Sequence, residues 1–109
     1  MIRIRLKGSK DHIEGFLVWG HARYAPQGAD IVCAGVSAVA TAAVMGLARR
    51  FPGSVSYRIL PQGLIYCRLD GSFPETGAAE AQAMLYAMAL GLEAIRKSHR
   101  KHIDLAYRR

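Results

Sequence analysis

From Ile31 to Ala48 the chain runs for 18 positions without a charged residue, and this stretch constrains the fold more than any other. Its length is at the lower limit for a membrane span. Its content is mostly alanine, glycine, serine, threonine and valine, with only Ile31, Met45 and Leu47 as large side chains, so transfer into lipid would be weakly favoured. A helix buried in protein is the better reading. Because it is apolar nearly all round, such a helix has to be covered on more than one side. A sheet on one face and a second helix or a partner subunit on the other would do this. Asp30 is a good N-cap residue, Arg49 and Arg50 suit the negative end of the helix dipole, and Phe51-Pro52-Gly53 stops the helix.

The flanking segments supply the cover. Ile2, Ile4 and Leu6 alternate with Arg3, Arg5 and Lys7, the period of two that marks a strand with one buried and one wet face. After the turn cluster Gly8-Ser9-Lys10-Asp11, alternation puts Ile13, Leu17 and Trp19 on one face and Glu14, Phe16 and Val18 on the other. This is a hairpin with His21 just past its end. Arg23 to Ala29 shows no period and contains Pro26 and Gly28, so it reads as a loop. Val55, Tyr57 and Ile59, the turn Pro61-Gln62-Gly63, and Ile65, Cys67 and Leu69 read as a second hairpin. Ala81, Met84, Leu85, Met88, Leu92 and Ile95 recur at three and four residues, which predicts an amphipathic helix from about Glu75 to Lys97 with its methionines packed in the core. The order is ββαββα. The expectation is an α+β fold, a four-stranded antiparallel sheet packed with two helices, in a single domain spanning 1–109.

Charge narrows the choice of partners. Of the net +7, +5 falls between Ile95 and Arg109, where Arg96, Lys97, Arg100, Lys101, Arg108 and Arg109 face one acid, Asp104. The remainder is nearly neutral, which argues against a basic face spread over the fold; direct contact with nucleic acid or membrane is not expected. Two cysteines cannot form a disulfide framework, and the alternating charge of Met-Ile-Arg-Ile-Arg does not suit a signal peptide. A cytoplasmic protein with reduced thiols is expected. His99 and His102 stand three apart, but nothing supplies the other ligands of a zinc site, and no Gly-rich phosphate loop is present. Neither metal nor cofactor is expected.

Chemistry concentrates at His21 and Cys33. With Asp30 as N-cap, Cys33 is the third helical residue, where unpaired N–H groups and the positive end of the dipole favour a thiolate. A nearby imidazolium would favour it further, and the same N–H groups could receive a developing oxyanion. Asp30 either caps the helix or orients His21. Ser37, one turn beyond Cys33, either bonds near the thiol or bonds back to the carbonyl of Cys33. Cys67 alternates inward between Ile65 and Leu69 and reads as core. By themselves these residues are a weak signal, since a lone cysteine in an apolar helix is usually core.

The string Gly20-His21-Ala22 followed by Gly28-Ala29-Asp30-Ile31-Val32-Cys33-Ala34-Gly35-Val36-Ser37-Ala38 resembles the signature of the ribosomal-processing cysteine proteases of bacteria, and the likeness runs over essentially the whole chain. The resemblance implies His21 as general base, Cys33 as nucleophile, Asp30 and Ser37 as supporting active-site residues, and a substrate loop marked by Gly20, Ala22 and Gly28. It also implies a homodimer that removes the N-terminal extension of a bL27-type large-subunit ribosomal protein after paired aromatic residues. Two departures stand out: Ala34-Gly35 where members often have Ala-Ala, and no Tyr-Pro string near the C-terminus. The alternative from a different class is a non-catalytic ribosome- or RNA-associated factor using the basic tail, Ser98 to Arg109.

Overall fold

The computed structural model describes residues 1–20, 27–61, 63–74 and 76–109, with backbone alone for 27–30. In chain order the elements are β1 (Ile2–Ser9), β2 (His12–Trp19), α1 (Gln27–Arg50), β3 (Val55–Ile59), β4 (Ile65–Leu69), α2 (Gly77–Ser98) and β5 (Ile103–Arg108). The strands form one sheet in the order β3-β4-β2-β1-β5. It is mixed: β5 runs parallel to β1, and the other neighbours are antiparallel. The α+β class and the two helices are as expected, but the four-stranded antiparallel sheet is corrected to five strands. Ile103, Leu105 and Tyr107 do alternate with Asp104, Ala106 and Arg108, yet the surrounding cations hide that period. Only the return of the chain along α2 brings β1 within pairing distance, as a parallel partner requires.

A bulge corrects the reading of the first hairpin. Lys7 pairs with Gly15 but Gly8 pairs with Ile13, so the register shifts and one residue of β2 is left over. Beyond the extra residue the faces exchange. Ile13, Phe16 and Val18 therefore share one face with Ile2, Ile4 and Leu6, all buried, and the placement of Ile13 with Leu17 and Trp19 does not hold. Where β4 ends, the outer edge of β2 is closed by a side chain from α2. Gln82 donates to the Ile13 carbonyl at 2.8 Å and accepts from the Ile13 N–H at 2.9 Å, as a neighbouring strand would.

Both helices pack on this one face, α1 over β3 and β4, and α2 over β2 and β5. The core runs from Ile4, Leu6 and Val18 through Val36, Val44 and Leu47 to Leu85 and Leu92. The helices approach closely because small residues line the crossing. A Cβ added at Gly91 would meet Val39 at 3.3 Å, and one at Gly35 would meet Ile95 at 3.6 Å, an ordinary contact. Gly35 is therefore a packing variant of the expected alanine. By length and composition Ile31–Arg50 could cross a membrane. Here its sheet-facing and α2-facing sides are covered, and its third side, from Ile31 through Ala34 to Ala38, is not.

Candidate active site

Gly20 follows the last residue of β2 and holds φ at +93°, a conformation side chains disfavour. A Cβ there would also run into the backbone carbonyl of Met1. Glycine is thus required by both torsion and space, and it fixes how the chain leaves the sheet immediately before His21. His21 and Ala22 lie outside the described residues.

Helix α1 begins at Gln27, earlier than the expected Asp30. Gly28 therefore belongs to the first helical turn rather than to a loop ending at Ala29. Asp30 also stands in that turn, where the helix dipole favours a negative charge, and is not the N-cap. The consequence for Cys33 is substantial. It becomes the seventh helical residue, so its N–H is taken up by the helix ladder and is not an orphan donor. The field of the helix end falls off within the first turn. An oxyanion at this position would need donors other than the Cys33 N–H.

Cys33 and Ser37 are both half-buried. At roughly 100° per residue, they lie on one flank of the stripe Val32, Val36 and Ala40, while Gly35 and Val39 lie on the flank turned to α2. The second helix thus packs on the flank opposite the cysteine. Cys67 is the opposite case: fully buried on β4 opposite Phe16, its thiol is pushed up to about 11 by burial and, secondarily, by Asp70. It is a core residue, as its alternation implied. Among the described residues no group of His, Cys, Asp or Glu has the arrangement of a metal site.

Residues 1–104 match the family described as cysteine protease Prp. The chain belongs to this family. It is accordingly a cysteine protease. Among solved structures it is similar to the Prp ribosomal processing protease of Staphylococcus aureus in complex with a substrate peptide, at 26% identity and a TM-score of 0.81, covering 99% of this chain and 100% of that one. The same S. aureus protease in complex with a covalently linked product peptide matches at 26% identity over the same shares, with a TM-score of 0.78. A protein from Streptococcus mutans shares the fold at 23% identity and a TM-score of 0.76, with 99% and 94% of the two chains covered. Curated protein sequences returned no match.

Proposed function

We propose that this Prp-family chain is an endopeptidase of ribosome maturation, removing the N-terminal extension of a bL27-type large-subunit ribosomal protein with Cys33 as nucleophile and His21 as general base and acid. The observation that carries the reading is the contrast between the two thiols. Cys67 is sealed in the core with a raised pKa, whereas Cys33 is half-buried on the flank of α1 turned away from α2. The S. aureus relative, a ribosomal processing protease seen with a substrate peptide, supports a peptide substrate of this kind.

In this mechanism His21 takes the thiol proton, and the Cys33 sulfur attacks the scissile carbonyl carbon. His21 then protonates the leaving amine as the C–N bond breaks. Water, deprotonated by His21, hydrolyses the thioester and restores the thiol. Ser37, one turn beyond Cys33 on the same flank, would bond the thiol or the substrate. Asp30, in the first turn, supports the site electrostatically. Gly20 just before the base, Ala22 just after it and Gly28 in the first turn of α1 bracket the segment that this reading assigns to the substrate.

The active species in this reading is a cytoplasmic homodimer. The cytoplasm keeps thiols reduced. The exposed apolar residues of the helix pair support self-association: Ile31 is 67% and Leu90 44% exposed, and a groove between the helices is lined by Val39, Gly46 and Met84. The test is cleavage of a peptide copied from the candidate extension. Cys33→Ala is expected to abolish it, Cys67→Ala to leave it, and Cys33 to alkylate with iodoacetamide well below the pH needed for a free cysteine. Undiminished cleavage by Cys33→Ala would remove the assignment.

A further inference from the structure

Both helices cover one side of the sheet, and among the described residues nothing covers the other. Pairing places Arg68, Gly15, Lys7 and Arg108 side by side across β4, β2, β1 and β5. The next row sets Tyr66, Leu17, Arg5 and Ala106 together in the same way. Because Gly15 has no side chain, a groove of about 350 Å³ opens between Arg68 and Lys7, with Tyr66 and Leu17 in its wall and Arg108 and Arg109 at its rim. The basic residues that the sequence spreads over both ends of the chain thus meet on one face. Asp104 and Asp70 offset part of this charge by pairing with Arg5 at 2.8 Å and Arg68 at 2.7 Å. Lys7, Arg108 and Arg109 are exposed and have no ion pair among the described residues.

We propose that this open sheet face binds single-stranded RNA, with backbone phosphates on Lys7, Arg68, Arg108 and Arg109 and a base stacked on Tyr66. A basic groove that tracks a phosphate backbone, with an aromatic ring set among the cations, is the arrangement by which sheets hold single strands. An acidic protein segment would use the cations and leave the ring idle. A membrane would need apolar side chains to insert, and the exposed apolar residues of β3, Tyr57 and Ile59, pair with Cys67 and Ile65 on the helix side. Cys33 lies on α1, across the sheet, so this site is separate from the proposed cleavage site and stands or falls independently of it.

Fluorescence anisotropy with a labelled single-stranded RNA of about 12 nucleotides tests the site. Wild type is expected to bind, with log affinity falling linearly in log salt. The triple variant Lys7→Gln/Arg68→Gln/Arg108→Gln should bind at least about tenfold more weakly at about 0.1 M salt, with a slope shallower by about 2, since each phosphate contact on a single strand contributes about 0.7. Tyr66→Leu should lose about tenfold with the slope unchanged, and Cys33→Ala should bind as wild type does. Should circular dichroism show the triple variant unfolded, each single Gln variant should still lower the slope by about 0.7. The proposal is overturned if wild type does not bind at about 0.05 M salt, where the phosphate contribution is strong. Folded Gln variants matching wild type would overturn it too, as would a polyglutamate peptide or anionic vesicles binding as tightly as RNA.

Discussion

Replacing Gly20 by alanine separates two costs that glycine avoids, and Gly53 supplies the matched control. The two glycines have nearly the same backbone, φ +93° and +90°. A Cβ at Gly53 meets nothing within 4 Å, whereas one at Gly20 runs into the Met1 carbonyl and comes within 3.6 Å of the Arg3 nitrogen. Gly53→Ala therefore pays the torsional penalty of about 1–2 kcal/mol, reduced by the lower entropy of the unfolded alanine chain, for a net loss near 1 kcal/mol. Gly20→Ala must in addition push back the start of β1. That strains the hydrogen bond from the Ile2 N–H to the His102 carbonyl, 2.8 Å long, which holds β1 against the segment entering β5. A total loss of about 2–4 kcal/mol follows. Urea unfolding of both variants measures the difference. Because Gly20 adjoins His21, a displacement on the order of 1 Å should also slow peptide cleavage by about a hundredfold in protein that is still folded. Equal midpoint shifts for the two variants, or a Gly20→Ala protein with wild-type stability and rate, would refute the reasoning.

Alkaline stability should report Cys67. Its thiol ionises near 9 when unexposed to the core's constraints and near 11 when folded, so between those values the unfolded chain binds fewer protons and stability falls as pH rises, by about 2–3 kcal/mol. Urea midpoints of Cys67→Val should lack that part of the decline. Acid acts in the opposite sense: Asp104, held low chiefly by its hydrogen bond from Arg5, stabilises the fold above the ordinary carboxylate range, and this is lost as pH falls through its folded pKa. Asp104→Asn should flatten the pH dependence of thermal unfolding below about pH 4. Gln82→Leu leaves the Ile13 N–H and carbonyl without their partner, which should lower unfolding free energy by about 2 kcal/mol and raise hydrogen exchange at Ile13.

Much of the fold can be read from local periodicity. The alternation in β1 and β4 and the three-and-four stripe of α2 each show which face is buried, because the geometry of a strand or helix imposes its period on the residues it hides; the charge-free run of α1 shows only that cover is needed. The candidate site is readable in part. Cys67 in the core follows from its alternation, whereas for Cys33 residue type and spacing alone favour the core and only the family motif singles it out. The start of α1 does not, because Gln27, Gly28 and Ala29 are helical in the structure although Gly28 is a weak helix former, and the first turn has few hydrogen bonds to reveal it.

Three features depended on residues far apart in the chain. The bulge between Lys7 and Gly8 is a property of two strands in register, and no single strand carries its mark. The clamp of Gln82 on Ile13 exists only because α2 crosses the sheet where β4 has ended. The charge is the clearest case. Along the chain, the cations of β1 look like the wet half of an amphipathic strand, and those near the C-terminus look like a solvated tail. That Ile31 to Ala48 needs cover on more than one side was determined by the sequence alone, since a charge-free helix is apolar nearly all round. Which face of the sheet stays bare, and that β5 brings Arg108 beside Lys7 there, was decided by tertiary structure, because strand pairing over about 100 residues of separation is not a local property of either strand.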